Sequence, residues 1–285
     1  MAMSSSSHFF TSDGLNLHYL KWGHGKVPVV LLHGLRGFAQ TWQDLVDALG
    51  DDFTFYALDQ RGRGDSDWGP SEDYNASVYV QDLTNFVAHL ALDRFVLIGH
   101  SLGGQNAVEY ARQNPDRVMA MVIEDIGPGS SKQGAGAERI RREMRNTPLS
   151  FSSWQEAERF WTKSRPNLTE QALQARLNHS FREMDGEVRW KHDQEGIAHA
   201  RLTIEPIDLW PAFRAICCPT LLVKGGNSDF LSAETVAEIQ SSSDAVKTVL
   251  IEDASHYVHD DQPEKFNDSV VRFMKMVLTD KRSFK

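Results

Sequence analysis

The most informative segment for the fold is Phe95-Val96-Leu97-Ile98-Gly99-His100-Ser101-Leu102-Gly103-Gly104. It is a short apolar run followed by a glycine-rich turn. The apolar run predicts a buried strand, and residues 102–113 predict a helix that ends before Pro115. A turn this tight lifts the serine hydroxyl above the sheet, and the two glycines that flank the serine leave room for the backbone. The G-x-S-x-G spacing therefore predicts that Ser101 is a nucleophile at the edge of a sheet.

A serine hydroxyl attacks well only when a base accepts its proton, and an imidazole does so near neutral pH. Among the eleven histidines, His256 is the best candidate, because it directly follows the last predicted strand and comes after the nucleophile in the chain. His259 is the local alternative. His33, at the end of a buried strand, and His100, inside the turn, are interpreted as structural.

The sequence His33-Gly34-Leu35 follows another buried strand. A glycine there frees the next backbone N–H to point at the site rather than into the sheet. The N–H groups of Leu35 and Leu102 are therefore predicted to form an oxyanion hole, with help from the positive end of the dipole of the helix that begins at Leu102.

Outside this stretch, short β-rich runs alternate with helical patterns, which predicts a parallel sheet covered on both faces. The other predicted strands of the first half are Leu15–Trp22, Val27–Leu32, Phe53–Leu58 and Val118–Ile123. The alternation stops after Ile126 and resumes at Pro219. We therefore predict a helical cap over residues 126–207, between two parts of one core, residues 1–125 and 208–285.

Residues 59–66 (Asp59-Gln60-Arg61-Gly62-Arg63-Gly64-Asp65-Ser66) form a charged cluster in a glycine-rich loop after a strand. We interpret the cluster as structural, because such side chains commonly hold a loop by hydrogen bonds. No group of His, Cys, Asp and Glu has the spacing of a closed metal site, and no G-x-G-x-x-G opens a helix after a strand. The sequence therefore predicts neither a metal nor a cofactor.

Composition narrows the class of protein. Hydrophobic residues make up 41% and charged residues 24% of the 285 residues, and the formal net charge is -9. An acidic chain disfavours nucleic acid and anionic lipid as partners, and no run of about 18 apolar residues suggests a membrane span. Residues 1–7 are predicted to be a disordered lead-in rather than a signal peptide. The adjacent Cys217 and Cys218 cannot join distant segments by a disulfide, so we expect the protein in a reducing cytoplasm. We expect a monomer or a homodimer.

These motifs together resemble the α/β-hydrolase superfamily over nearly the whole chain. They lie at residues 33–34, 59–64, 99–104 and 255–257. Residues 15–126 and 219–275 most resemble small cap-bearing hydrolases, including bacterial short-chain esterases and the 2-(acetamidomethylene)succinate hydrolase type, whereas residues 126–215 resemble them only weakly. This resemblance implies an eight-stranded, mostly parallel sheet with a helical lid. Superfamily members that use an aspartate nucleophile, the dehalogenases and epoxide hydrolases, are excluded by Ser101. Ser255 departs from the glycine that relatives usually place before the histidine.

The resemblance leaves two candidates for the acid of the triad. Relatives usually carry it in the later loop as Gly-x-x-Asp, but Ser228 takes that position here if the count starts at Gly225. Counting from Gly226 restores Asp229, so spacing alone does not decide. The sequence of this loop, Gly225-Gly226-Asn227-Ser228, resembles the corresponding loop of small esterases that carry the acid at the end of the strand after the nucleophile helix. We therefore predict Asp125 as the acid, with Asp229 as the alternative.

The combined interpretation is a serine hydrolase that cleaves a small carboxylic ester through an acyl-enzyme. The side chains of Trp42, Trp154 and Trp161, together with Phe160, are predicted to line an apolar substrate pocket under the cap. The same residues could serve hydrolysis of an amide or a C–C bond. A rival from another class is a ligand receptor on the same fold. Rapid ester hydrolysis would favour the enzyme, and very slow, near single-turnover behaviour with a ligand-dependent stability shift would favour the receptor.

Overall fold

The computed structural model describes residues 2–279. Eleven strands are present in this part of the chain. They are β1 (Ser5–Ser12), β2 (Leu15–Trp22), β3 (Val27–Leu32), β4 (Phe53–Leu58), β5 (Phe95–His100), β6 (Val118–Glu124), β7 (Ser150–Phe151), β8 (Phe181–Met184), β9 (Glu187–Trp190), β10 (Thr220–Gly225) and β11 (Val246–Ile251). Eight of them form one sheet in the order β1-β2-β4-β3-β5-β6-β10-β11.

The direction of the strands confirms the predicted, mostly parallel sheet. β1 and β2 are antiparallel to their neighbours, whereas β4, β3, β5, β6, β10 and β11 run parallel. Every residue of β5 is buried, as expected for a central parallel strand covered on both faces. The carboxyl ends of β3, β5, β6 and β10 consequently meet at one edge, where α/β sheets place their ligands.

Residues 2–279 contain eleven α-helices. They are α1 (Gln43–Leu49), α2 (Ala76–His89), α3 (Leu102–Gln113), α4 (Ala135–Asn146), α5 (Trp154–Ser164), α6 (Glu170–Ser180), α7 (Gln194–Thr203), α8 (Trp210–Arg214), α9 (Ala233–Ser242), α10 (Val258–Asp261) and α11 (Pro263–Thr279). α1 packs with α11 on one face, and α2 packs with α3 on the other. No helix among residues 2–279 combines the length and the apolar character that a bilayer crossing requires.

The N-terminal prediction was wrong in part. Ser5, Ser6 and Ser7 belong to β1, where they pair with Trp22, Lys21 and Leu20 of β2. An antiparallel edge strand keeps one face in water, so polar side chains are tolerated there while the backbone satisfies its hydrogen bonds. Met1 lies outside the described residues.

The segment between β6 and β10 contains α4 to α8 and a small antiparallel sheet in the order β7-β9-β8. The sequence predicts helices here but not these strands, because runs of two to four residues are too short to show a period of two. An aromatic cluster holds the sheet against α5. Its buried members are Phe151, Ala157, Trp161, Phe181, Val188 and Trp190.

Candidate active site

Ser101 occupies the turn between β5 and α3. Its backbone has φ 51° and ψ −111°, an unusual conformation for a residue with a side chain. Glycine is required on both sides, because a Cβ at Gly99 would clash with the Gly103 carbonyl and a Cβ at Gly103 would clash with the Leu32 carbonyl. The N–H of Ser101 donates to the Glu124 carbonyl at 2.9 Å. The turn thus holds the Ser101 side chain at the carboxyl edge of the sheet.

Three side chains from distant parts of the chain form a hydrogen-bonded series at this edge. The Oγ of Ser101 lies 2.9 Å from Nε2 of His256, and Nδ1 of His256 lies 2.8 Å from Oδ2 of Asp125. If the neutral imidazole carries its proton on Nδ1, that nitrogen donates to the carboxylate and leaves Nε2 free to accept from the serine. This geometry supplies what abstraction of the serine proton needs.

Asp125 is held in place by the loop after β10. Its residue has φ 50°, and its Oδ1 accepts the N–H of Gly225 at 3.0 Å. The hydroxyl of Ser228 donates to Oδ2 of the same carboxylate. Burial raises the pKa of Asp125 to about 7, although the hydrogen bonds from Ser228 and Gly225 act in the opposite direction. These donors therefore offset part of the cost of burying the ionised carboxylate.

The two alternative residues have other partners. Both carboxylate oxygens of Asp229 accept from the guanidinium of Arg139, each at 2.8 Å. His259 lies 2.8 Å from Glu124 through Nδ1 and 2.9 Å from the Thr41 hydroxyl through Nε2. Asp229 is thus engaged away from the His256 ring, and His259 is engaged away from the serine.

Burial lowers the pKa of His256, and the positive charges of Arg139 and Arg165 lower it further. The imidazole is therefore neutral at pH 7, which is the state that accepts a proton. His100 supports the same region, because its Nε2 lies 2.9 Å from the backbone carbonyl of His256. Burial lowers the pKa of His100 to about 3, in keeping with a neutral structural histidine.

The loop after β3 brings a second glycine turn to the site. A Cβ at Gly34 would lie 2.5 Å from Nδ1 of His100, so only glycine fits there without movement. His33 holds the loop, since its Nε2 accepts the N–H of Gln60 at 3.1 Å and its carbonyl accepts the Gln60 amide at 2.7 Å. Leu35 and Leu102 both line the cavity that contains Ser101.

This cavity has a volume of about 370 Å³. The cavity is lined by the loops after β3, β4, β5, β10 and β11, by α2, α4, α6 and α7, and by residues 204–207. Its lining includes Leu35, Arg36, Arg63, Ser101, Leu102, Ile140, Arg165, Arg176, His256 and Tyr257. The number of arginines is unusual for a buried cavity, and no local sequence pattern distinguishes them from surface arginines. They are the site residues that sequence analysis missed.

The structure places the three predicted pocket tryptophans elsewhere, outside the described residues that line the cavity. Trp42 is buried between α1 and α11, where its ring stacks on His259 with centroids 5.0 Å apart. Trp161 lies in the aromatic cluster of α5 and the small sheet, and Trp154 is 40% exposed on the surface. Aromatic residues at helical spacing here build the core of the segment between β6 and β10, because burying their large area stabilises it.

Ile140 of α4 is a better candidate than the tryptophans for sensing the acyl chain, because it lines the cavity. We expect Ile140→Ala to raise kcat/KM for p-nitrophenyl hexanoate relative to the acetate by about 10-fold, since it enlarges an apolar wall. Trp154→Ala is the matched control and should leave this ratio unchanged. Thermal unfolding of both variants checks that they are folded. If the hexanoate-to-acetate ratio of kcat/KM shifts in Trp154→Ala, or does not shift in Ile140→Ala, then Ile140 does not form the wall that contacts the acyl chain.

The charged loop after β4 is held by hydrogen bonds. Asp59 is fully buried and accepts from the N–H groups of Ala39 and Asp65 and from Nδ1 of His18, at 2.6, 3.0 and 2.7 Å. Potential metal-ligand atoms of His18, Asp59 and Asp65 lie within 4.8 Å of one another. The same hydrogen bonds account for their proximity. Arg61 of this loop pairs with Asp82 at 2.6 Å.

Comparisons with known proteins agree with this fold. The Alpha/beta hydrolase family matches residues 29–269. The 2-(acetamidomethylene)succinate hydrolase of Mesorhizobium japonicum is 29% identical over 251 residues, which cover 88% of this chain and 89% of that protein. An esterase of Mycobacterium tuberculosis is 28% identical over 252 residues, 86% of this chain and 81% of its own.

A solved structure of an alpha/beta hydrolase from Novosphingobium aromaticivorans is 31% identical, with a TM-score of 0.84, and the match covers 96% of this chain and 99% of that one. The similarity thus extends through the whole fold, including the segment between β6 and β10. Together with the strand order of the sheet, these matches show that the chain belongs to the alpha/beta hydrolase family and is a hydrolase.

Proposed function

We propose that this chain is a serine hydrolase that cleaves a small carboxylic ester through an acyl-enzyme. Ser101 is the nucleophile, His256 the general base and Asp125 the acid. The observation that carries the proposal is the hydrogen-bonded series from Ser101 Oγ through His256 to Asp125, which opens on a cavity of about 370 Å³. A cavity of this size fits a small substrate.

In the first half of the reaction the serine oxygen attacks the acyl carbon while Nε2 of His256 takes the hydroxyl proton. The N–H groups of Leu35 and Leu102 hold the oxyanion of the tetrahedral intermediate. His256 then gives its proton to the leaving alkoxide, which departs as the alcohol. In the second half a water attacks the acyl-enzyme, His256 takes the water proton, and Ser101 recovers it when the carboxylic acid leaves.

Asp125 orients the ring in both halves. Its carboxylate keeps the proton of the neutral imidazole on Nδ1 and stabilises the imidazolium that forms after each proton transfer. The Leu102 N–H lies at the first residue of α3, so the positive end of the helix dipole adds to the stabilisation of the oxyanion.

We also propose that residues 126–207 act as a cap that determines which substrates bind. The cavity wall opposite the sheet comes from this segment, with Ile140 on α4, Arg176 on α6 and Ala200 on α7. The two relatives, a 2-(acetamidomethylene)succinate hydrolase and an esterase, have names that are consistent with chemistry at an acyl carbon. The same side chains would also attack an amide, so the experiment below compares the two bonds.

The test is turnover together with labelling of the serine. Matched p-nitrophenyl esters and p-nitroanilides of acetate and butyrate compare the two bonds, and a fluorophosphonate probe followed by peptide mass spectrometry identifies the modified residue. We expect ester turnover and a label on Ser101. A label on another residue would overturn the nucleophile, faster anilide hydrolysis would overturn the ester, and near single-turnover behaviour would favour the receptor.

The pH profile tests the base. Because the pKa of His256 is lowered from 6.5, the neutral form that accepts the proton is present above that pKa and is lost as the pH falls through it. We expect kcat/KM to be flat between about pH 6.5 and pH 8 and to fall only in more acidic buffer. His256→Ala should remove this limb along with most of the activity. A wild-type midpoint above pH 7, or an unchanged profile in the variant, would point to another base.

A further inference from the structure

Arg165 lines the catalytic cavity with a guanidinium that lacks a hydrogen-bond acceptor. Its side chain is 7% exposed, and the nearest carboxylate oxygen, on Asp260, is 4.0 Å away. Among the described residues, none accepts a hydrogen bond from this guanidinium, and its Nη1 is buried without a partner. A buried guanidinium has five donors, and leaving them unsatisfied is costly. The Arg165 guanidinium is therefore a strong hydrogen-bond donor at the cavity wall without an acceptor.

Aromatic rings position Arg165 without satisfying it. The guanidinium carbon lies 3.1 Å above the centre of the Tyr257 ring and 5.2 Å from that of Trp161. Stacking uses the face of the guanidinium and leaves its N–H edge free to bind in the plane. Tyr257 follows His256 directly in the chain. The free donors are therefore held close to the proposed general base.

The charges around Asp260 do not balance locally. Arg36 and Arg139 are matched by two carboxylates, because Arg36 pairs with Glu143 at 2.6 Å and Arg139 pairs with both Glu143 and Asp229. Asp260, by contrast, is the one carboxylate among the described residues within ion-pair distance of Arg176 and Arg165, while His259 also pairs with Glu124.

Arg63 adds to this excess from another side of the cavity. Its side chain is fully buried, and no carboxylate of a described residue lies within ion-pair distance. Its Nη2 has no hydrogen-bond partner among residues 2–279.

Arg165 stays protonated at neutral pH, although burial and the charges of Arg176 and Arg36 lower its pKa to about 9. Asp260 already pairs with Arg176, so a second anion, brought in by a ligand, would balance the charge of Arg165.

We propose that the substrate carries a carboxylate, which Arg165 binds through its free N–H edge. This inference rests on the proposed acyl transfer at Ser101 and names its substrate class. Arg165 lies against the neighbour of His256 and the cavity is small, so the carboxylate is only a few bonds from the scissile carbonyl. The class is therefore half-esters of short dicarboxylic acids rather than uncharged short-chain esters. Arg165 is the specificity-determining residue.

A pair of nearly isosteric substrates tests the proposal on the wild-type enzyme. Monomethyl succinate carries the carboxylate, and methyl succinamate replaces it by a neutral amide of the same shape; the malonate and glutarate homologues vary the chain length. We expect kcat/KM to be about 10- to 100-fold higher for the best charged member than for its amide, as for a charge-assisted hydrogen bond. Equal values, or a preference for the amides, at all three lengths would overturn the proposal.

Substitutions then assign the preference to one side chain. Arg165→Gln should abolish the preference for the charged substrate, measured as the ratio of kcat/KM for monomethyl succinate to that for methyl succinamate in the same variant. Arg159→Gln is the matched control, because Arg159 is exposed on α5 of the same segment. Arg165→Lys, which keeps the charge but not the planar fork, should retain part of the preference. A preference that survives in Arg165→Gln would place the carboxylate elsewhere in the cavity.

A binding measurement separates this inference from the proposed reaction. Isothermal titration of Ser101→Ala protein with succinate, succinamate and inorganic phosphate needs no turnover. We expect succinate to bind at least 10-fold more tightly than succinamate or phosphate, and Arg165→Gln in the same background to lose that difference. If succinate binds but the wild type does not turn over esters, the carboxylate site is supported and the acyl-enzyme mechanism is wrong. If esters are turned over without carboxylate selectivity, only the carboxylate site is wrong. If phosphate binds as tightly as succinate, the cavity is a general anion site instead.

Discussion

Ser101→Ala is expected to lower kcat for p-nitrophenyl acetate by at least about 10⁴-fold while the protein stays folded. In the proposed mechanism the serine oxygen forms the acyl-enzyme, and its hydrogen bond of 2.9 Å to Nε2 of His256 is the route by which the hydroxyl proton leaves. The residual rate would come from the oxyanion donors and binding alone. The measurement is steady-state turnover of purified protein, with thermal unfolding to compare stability.

Ser269→Ala is the matched control, because Ser269 is a serine on α11 whose hydroxyl donates only to the Lys265 carbonyl in its own helix. Its turnover should equal that of the wild type. If Ser101→Ala keeps more than about a tenth of wild-type turnover once contaminating esterase has been excluded, another group attacks the substrate and the proposed mechanism is wrong.

The second large effect is expected at the acid. Asp125→Asn should lower kcat by about 10³- to 10⁴-fold, because an amide neither stabilises the imidazolium nor holds the ring in the correct tautomer. Asp229→Asn should cost less than about 10-fold, since Asp229 binds Arg139 and reaches His256 only as a more distant charge. Both variants keep the size of the side chain and are compared in one assay with one ester.

The comparison has a further readout in the pH profile. Loss of the Asp125 charge should move the acid limb of kcat/KM to lower pH, because the imidazolium loses its partner at 2.8 Å. Asp229→Asn should move the limb only slightly. A far greater loss of kcat at Asp229 than at Asp125 would instead make the later loop the source of the acid.

Much of the fold was predictable from local sequence. The buried run of β5, the two glycines beside Ser101 and the helix after it define a strand-turn-helix unit, in which the close backbone contacts leave no room for a Cβ at either glycine. The same holds for the glycine turn after β3, where Gly34 packs against His100. Prediction failed where the signal was weakest, in the short strands of residues 150–190 and in the serine-rich strand β1.

The sequence did not show which side chains would pair with one another at the site. Asp125 and His256 are separated by 131 positions, and the spacing of the later loop left Asp229 equally able to be counted into the acid position. Only the folded chain shows that Arg139 takes Asp229 and that Ser228 and Gly225 hold Asp125. A one-residue change of register redirects a side chain at such a turn, and no local pattern records which register the sheet imposes.

The positions of the tryptophans and the arginines also could not be predicted from the sequence and were found only in the structure. Local sequence was enough to predict the backbone of the turn at Ser101, the class of sheet and the candidates Ser101 and His256, because backbone conformation depends on neighbouring residues. The core position of Trp161 and the burial of Arg165 beside the cavity became visible only in the folded chain. Burial and charge balance are properties of residues brought together from distant parts of the chain, and an arginine in a sequence looks the same whether water or a substrate will surround it.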